Sequence, residues 1–451
     1  VTASDPLPLV DRPDGAILFH MVGRIVDVAG FLNDVAFAAA ALPPRGYVAN
    51  LCQDRYCFAV GLAAALLRGQ VSLLSGDLSP GVIDWLIWQF PDAYALTDSP
   101  VPEMALPQHR ITTAGTASAP AAMPAIPALQ PAAVVLTSGT TGGPVGTQKC
   151  WGELVARSRA AGLRFGLTTT NPATIVGTVP AGHMYGLETT VLLPFHAAAS
   201  VWCGPAFFPA DICAALDELP GARILVTTPL HLRALLQTAA PTRRPERVIS
   251  ATAPLDHALA AQTERAWGTQ VWEIFGASEV GSIASRRTIA GNDWELYPGV
   301  TLVAAADLAR VAAPWAEPRQ LNDVIEPLPG DRFRLGGRVS DLVKLGGRRA
   351  SLSGLSSILT SIGGVQDGVF LAPDDLDRSP TARLVAIAVA PTHSTASLTE
   401  LLRARIDPLF LPRPLVLMDA LPRNPLGKLP RGALLAALAE ATAGKAAGCD
   451  D

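Results

Sequence analysis

The sequence predicts an α/β protein: a large N-terminal domain of sheets covered by helices, residues 1–338, and a small α+β C-terminal domain, residues 339–451. Three observations carry this expectation. From about Pro131 short apolar runs recur, each long enough for a buried strand. Helical patterns lie between most of them, and strands alternating with helices build sheets covered on both faces. Near Arg338 the composition then shifts to a Gly-rich segment, LGGRRAS, one strong apolar strand and a closing helix. That last span, about 110 residues, is enough for a small domain.

The elements follow in order. AVVLT (133–137) reads as a buried strand and WGELVARSRAAGL (151–163) as a helix. TIVGTV (174–179), SVWC (200–203), RILVT (223–227), RVIS (247–250) and QVWEI (270–274) are further strands. PLHLRALLQTAA (229–240) and LDHALAAQTERAW (255–267) are helices between them. In the C-terminal part ARLVAIAVA (382–390) is a strand and GALLAALAEATA (432–443) a helix. Residues 100–132, rich in Pro, Ala and Thr without a clear period, read as a loop between two lobes of the larger domain.

Composition narrows the function. With 451 residues the chain has room for about three folding units, or two unequal ones. Nearly half the residues are apolar and 16% are charged, so a large core is available. The longest apolar run, Phe58 to Leu67, is closed by Arg68 and is too short for the roughly 20 residues that span a bilayer. The opening VTASDPLPLVDRPDG has no basic stretch followed by an apolar core, so no signal peptide is expected. A net charge of −4 gives no global attraction to nucleic acid or anionic lipid. Six scattered cysteines form no C-x-x-C pair and no metal spacing with histidine, and read as buried free thiols in a reducing cytoplasm.

The most informative segment is VVLTSGTTGGPVGTQK, residues 134–149. A buried strand runs into Thr137, Ser138, Gly139, Thr140, Thr141, Gly142 and Gly143. Glycines let backbone N–H groups turn towards an anion, and hydroxyls add donors, which suits a polyphosphate. A flexible surface turn is the plainer alternative, but the strand directly before the loop favours phosphate. It is not the common nucleotide loop, since no Gly-Lys-Ser/Thr follows, nor a dinucleotide fingerprint. The hydrolase elbow G-x-S-x-G fails too, because Gly276 to Gly281 has one residue too many.

Six further segments join the loop in order: PAGHMYGLE (180–188), SATAPL (250–255), IFGASE (274–279), LND (321–323), GRVSDLVK (337–344) and PRNPLGKLPR (422–431). Together they resemble the adenylate-forming superfamily of acyl- and aryl-CoA ligases, luciferases and peptide-synthetase adenylation domains. The resemblance covers most of the chain. It implies ATP and Mg²⁺ as cofactors, a carboxylic acid as substrate, and a mobile C-terminal domain.

Site residues follow from it position by position. Thr137 to Gly142 would hold phosphate. Phe275 would stack on adenine, with Ala251, Thr252, Ala253 and Pro254 as the opposite wall and Gly276 and Ala277 beside them. Ser278 would donate to the α-phosphate, and Glu279, with Thr137, would hold Mg²⁺, a hard cation that prefers oxygen. Without its neighbours Phe275 would read as a core aromatic, and Glu279 as a carboxylate favoured by a helix N-terminus. Asp323 is assigned to the ribose hydroxyls, since one carboxylate accepts two hydrogen bonds, and Arg338 to ribose or phosphate. Asp331 is the rival, but GDRFRLGGR reads better as a turn and strand. Lys428, in a Pro/Gly loop, would place a positive charge on the carboxylate and α-phosphate in the transition state. A lone loop lysine is usually only solvated; the RNPLGK setting is what singles it out.

His183, Met184, Tyr185, Gly186, Val226, Ser250, Thr252, Gly276, Ala277 and Ser282 are the acid-pocket candidates. His183 reads equally as a gate on that pocket or as a satisfied core histidine. The set describes a small, mostly apolar pocket with no acidic residue to pair an amino group, which counts against an amino acid. The short chain and the HMYGLE and TSGTTGGP segments resemble most the stand-alone ligases of xanthomonadin or aryl-polyene pigment biosynthesis, which implies 4-hydroxybenzoate or a related aryl acid. The acceptor would be CoA or the pantetheine arm of an acyl carrier protein. A medium- or long-chain acyl ligase and a catalytically weak ATP/AMP-binding regulator are the other two readings.

Two departures from the family pattern stand out. Pro144-Val145-Gly146 lacks the usual loop lysine; either Lys149 stands in from four residues away or that contact is dispensable. Ser340 stands in place of the usual hinge acid, with Asp341 next to it, so the hinge sits at either.

Overall fold

A strand alternation needs two sheets to account for so many short apolar runs, and the computed structural model has them. It describes residues 5–75, 80–114, 122–138, 144–238, 240–277, 280–305, 308–314, 316–338, 341–345, 348–373, 376, 383–423 and 429–446. Chain contacts divide the protein into two compact units: Val1–Ala251 with Leu259–Val303 and Val311–Arg319, and Thr252–Ala258 with Ala304–Arg310 and Gln320–Asp451. This division groups 320–338 with the C-terminal residues.

The first unit holds a six-stranded sheet in the order Pro144–Cys150, Pro131–Ser138, Val71–Ser75, Tyr47–Asn50, Ala93–Thr97, Gln108–Arg110. Four of its five pairings are parallel. The fifth is the antiparallel hairpin Pro131–Ser138 with Pro144–Cys150, which the glycine-rich loop closes. Helix Val28–Ala41 starts at Asp27, whose carboxylate accepts from Gly30 N–H at 2.8 Å. Helix Arg55–Leu67 starts at Asp54, which accepts from Cys57 N–H at 2.8 Å. Short oxygen side chains at these positions satisfy backbone donors that the first helical turn leaves open.

The second sheet of this unit runs Asp293–Leu296, Gly281–Arg287, Gln270–Ala277, Arg247–Ser250, Ala222–Thr227, Ala173–Gly177, Ala199–Trp202, Ile17–Met21, Arg24–Asp27. The pairings from Gln270–Ala277 through to Ile17–Met21 are parallel. Antiparallel pairings flank this parallel run on both sides. Its central strands are buried along their whole length, as expected where helices cover both faces.

Most of the expected elements appear within two or three residues. Three differ. Strand 270–274 continues to Ala277, because an antiparallel partner, Gly281–Arg287, holds its extension. The helix from 229 stops at Leu236, and Thr238 turns its hydroxyl back to the Leu235 carbonyl at 2.9 Å. Residues 100–132 contain two three-residue strands, Gln108–Arg110 and Ala125–Pro127, too short to show a period in sequence. None of the described cysteines forms a disulfide; Cys52 is buried, but Cys57, Cys150, Cys203 and Cys213 are half-buried rather than buried. No described helix is long and apolar enough to cross a membrane.

The second unit is α+β. Hairpins Asp323–Leu328/Arg332–Arg338 and Leu342–Leu345/Arg348–Ser351 precede helix Leu352–Thr360. Strand Val385–Val389 pairs antiparallel with Asp367–Leu371 and parallel with Leu415–Leu417. Leu355, Leu359, Phe370, Leu384, Leu398 and Leu402 pack into its core. Arg423 clamps Asp367 with two hydrogen bonds of 2.6 and 2.7 Å, tying the segment before the last helix, Arg431–Ala446, to this sheet. Leu359 is fully buried, so Leu359→Ala should cost the protein about 2–5 kcal/mol in denaturant unfolding.

Candidate active site

Parallel strands point their C-terminal ends the same way, so the segments that leave them emerge along one edge of the sheet. Ligands of open α/β sheets bind there. In the second sheet of the first unit these segments begin after Gly177, Trp202, Thr227 and Ser250. The assigned residues 183–186 and 251 lie just beyond such strand ends, and Val226 and Ser250 in the last residues of their strands.

His183 ends the turn after Ala173–Gly177. It is half-buried, and its Nδ1 accepts from Tyr185 N–H at 3.3 Å, which caps the helix Met184–Leu187. Its geometry therefore includes a structural role. Met184, Tyr185 and Gly186 are buried. The Tyr185 hydroxyl donates to the Ile249 carbonyl at 2.9 Å and reaches that of Thr227 at 3.3 Å, so it is committed to the sheet and leaves only its ring to a ligand. Gly186 passes so close to Pro180 that a Cβ would sit 1.9 Å from the Pro180 carbonyl oxygen. Val226 and Ser250 are fully buried, and the Ser250 hydroxyl has no partner among the described residues.

Phe275 is half-buried, and its ring packs on Trp294 at 5.7 Å between centroids. The ladder shifts register between Phe275 and Gly276, an irregularity within the motif, and pairing resumes to Ala277. Gly276 is exposed and Ala277 half-buried. The 250–254 segment turns sharply at Thr252, which has φ of 78°, an uncommon value for a β-branched residue. Thr252 and Ala253 are half-buried and Pro254 exposed.

Thr137 and Ser138 end their strand opposite Val145 and Pro144. In the second unit, Asp323 and Arg338 are direct partners across a hairpin, so the two residues assigned to the ribose end of the nucleotide share one position on the sheet. Asp331 is exposed beside the turn of that hairpin, and Asp341 is half-buried. Gly139, Thr140, Thr141, Gly142, Ser278, Glu279, Ser340 and Lys428 lie outside the described residues.

Ser282 is where sequence reasoning missed a residue. Its N–H is 3.1 Å from both oxygens of Glu188, and its hydroxyl donates to the same carboxylate. Glu188, the last residue of PAGHMYGLE, is buried. Burial pushes its carboxyl above the usual carboxylate range, opposed by the Ser282 donors and by the positive charges of Arg157 and Lys149. An acidic group therefore stands against a residue assigned to the acid pocket, although none was singled out there.

A cavity of about 390 Å³ opens in the first unit where strand ends of its two larger sheets meet. Asn50, Arg55, Ser75, the 177–182 segment and 203–207 line it. Arg55 is held by the carbonyls of Gly177 and Val179 at 2.9 and 3.0 Å and by Thr190. Met184, Val226, Ser250 and Ser282 are not part of this lining.

Comparison with known proteins decides the family. Residues 81–322 match the family of AMP-binding enzymes. The chain belongs to the AMP-binding enzyme family. A 4-coumarate–CoA ligase of Rhodobacter capsulatus is 30% identical over 275 residues, 61% of this chain and 67% of that protein. A linear gramicidin synthase chain of Brevibacillus parabrevis is 32% identical over 124 residues, 27% of this chain but 2% of that much longer protein. Among solved structures, ATP-bound MatB from Rhodopseudomonas palustris superposes with a TM-score of 0.79 at 18% identity, covering 94% of this chain and 97% of its own. The Bacillus subtilis o-succinylbenzoate coenzyme A synthetase with ATP and magnesium gives 0.80 at 17%, covering 95% and 100%. This AMP-binding enzyme is thus an adenylate-forming protein of the acid–thiol ligase type, and it shares its fold with these solved structures.

The same structure corrects one substitution for the missing loop lysine. Lys149 is 1% exposed, and its Nζ lies 2.5 Å from Glu153 Oε1, so its charge is committed to a buried ion pair. Val145 is half exposed.

Gly186→Ala tests the turn that sets the 183–186 segment. The added methyl must displace the Pro180 carbonyl, at a cost of about 1–3 kcal/mol. Denaturant unfolding should show that loss together with reduced acid activation; unchanged stability would contradict the close approach.

Proposed function

We propose that this AMP-binding enzyme activates an aryl carboxylic acid of the 4-hydroxybenzoate kind with MgATP and transfers the acyl group to a thiol of CoA or of an acyl carrier protein. The observation that carries the reading is the family match over residues 81–322, which takes in the glycine-rich loop, the 250–254 turn and Phe275. The aryl acid is supported by the relative that matches most of the chain, a 4-coumarate–CoA ligase. The apolar burial of Met184 and Val226 agrees with it.

In the first half-reaction a carboxylate oxygen attacks the α-phosphorus of MgATP, the bond to the β-phosphate oxygen breaks, and pyrophosphate leaves. Phe275 and the 251–254 segment position the adenine, and Asp323 with Arg338 holds the ribose. Thr137 to Gly142 and Ser278 hold phosphate, Glu279 meets the magnesium of the substrate complex, and Lys428 neutralises charge as it builds on the α-phosphate. In the second half-reaction a thiolate attacks the acyl carbon and AMP leaves. The small domain, turning near Ser340 and Asp341, withdraws Lys428 and brings residues 344–349 in. The 390 Å³ cavity, with both polar and apolar walls, suits the amide-bearing pantetheine arm that CoA and carrier proteins share.

ATP–pyrophosphate exchange over benzoates, fatty acids and amino acids tests the reading. Exchange with hydroxylated benzoates above the other acids is expected. Exchange with fatty acids alone would select an acyl ligase, and ATP binding without exchange a regulatory protein. Lys428→Ala should lower exchange about 100-fold or more while ATP still binds; near wild-type exchange would remove Lys428 from the mechanism.

A further inference from the structure

Behind the strand that carries Ser282, four charged side chains are buried together. Lys149, Glu153 and Arg157 follow at intervals of four residues, so the end of strand Pro144–Cys150 and helix Trp151–Arg164 set them in one row. Glu188 faces this group from a π-helical turn, Glu188–Leu192, a rare geometry that often marks functional sites. All four are 5% exposed or less. Two positive and two negative charges balance.

Hydrogen bonding does not balance. Lys149 is paired with Glu153, and Glu188 takes both donors of Ser282. Arg157 is left over: Nε, Nη1 and Nη2 all lack a partner among the described residues. So does the buried hydroxyl of Tyr297, which lies within electrostatic reach of Arg157 and Glu188. A guanidinium carries five N–H donors, and burying them unmet is costly. Nearby carboxylates offset its charge but leave its donors open.

Residues assigned to the acid pocket adjoin these charges. Gly281 has φ of 75°, and a Cβ there would lie 2.4 Å from Glu188 Oε1 and 3.5 Å from Met184 Cε. Met184 and Ser282, both assigned to the acid pocket, thus border Glu188 across a position kept bare of side chain.

We propose that Glu188 and Arg157 form the distal end of the acid pocket and read a ring hydroxyl of the acid, which donates to Glu188 and accepts from Arg157. This rests on the aryl-acid reading above. A phenolic hydroxyl is one donor with acceptor lone pairs, and so meets both groups at once. An unsubstituted ring edge leaves Arg157 unmet. A second carboxylate on the acid would suit Arg157 but face Glu188, and an ammonium would suit Glu188 but face Arg157. A neutral group that both donates and accepts fits both.

The test is ATP–pyrophosphate exchange on the full chain with benzoate, 3-hydroxybenzoate and 4-hydroxybenzoate. Wild-type kcat/KM should favour one hydroxylated acid over benzoate by about 100-fold or more, because a site built for a hydroxyl rejects the analogue without it. Arg157→Met and Glu188→Gln should each shrink that ratio at least about tenfold, chiefly through KM, and Arg157→Lys should restore part of it. A wild-type ratio near one, or variants that lose equally on all three acids, would overturn the proposal. Absence of exchange with every aryl acid, alongside exchange with an aliphatic one, would overturn the aryl-acid reading beneath it. Should the variants not fold, the wild-type protein gives a second readout. Bound hydroxybenzoate held between carboxylate and guanidinium should shift its phenol absorption band from the aqueous position, and an unshifted band would overturn the proposal.

Discussion

Parallel pairing is the constraint on which the first unit depends. Two parallel strands cannot be joined by a tight turn, so each pair needs a crossover that packs on a sheet face. The helices supply the covering that makes strands such as Ala173–Gly177 and Ala199–Trp202 buried on both sides. The same crossovers send every strand end to one edge. The turns after Gly177, Trp202 and Ser250 therefore emerge together, although their residues are far apart in sequence. At one margin of the six-stranded sheet, Ser138 and Pro144, the residues on either side of the glycine-rich stretch, are paired across an antiparallel ladder.

A second constraint lies inside that unit. Lys149, Glu153, Arg157 and Glu188 give up hydration that a well-packed apolar set would not need. Buried ion pairs seldom add net stability, and removing one member of a pair is costly. Retaining four charges beside Ser282 makes better sense as a device for selecting a polar group than as a source of stability. Burial lowers the proton affinity of Lys149, while its neighbour Glu153 favours the charged form. Lys149 thus belongs to this buried balance, and the glycine-rich loop goes without the lysine that its family pattern carries.

Much of this was legible in the sequence. The alternation after Pro131 placed the central strands, because strands buried on both faces read as uninterrupted apolar runs. RVIS (247–250) became a strand with those bounds. The residues before Pro131 were less readable. Helix Arg55–Leu67 is buried nearly all round, so its apolar run shows no stripe that would separate helix from strand. At the candidate site, motif order indicated Asp323 and Arg338, and the hairpin register sets them at paired backbone positions. Glu188 was missed because a glutamate at the end of an apolar motif looks solvated until Ser282, 94 residues away, is seen to bond it. The four-residue spacing of Lys149, Glu153 and Arg157 was a visible signal of one helix face. Its inward direction depends on what packs against that face, which one sequence does not state.

The most direct measurement is a crystal structure of the protein with a non-hydrolysable adenylate of 4-hydroxybenzoate. The account predicts adenine against the Phe275 ring, the ribose hydroxyls on the Asp323 carboxylate, and the aryl ring beside Met184 with its hydroxyl directed to Glu188. A nucleotide bound away from Phe275 and Asp323, or an aryl group outside the Met184–Ser282 pocket, would contradict it.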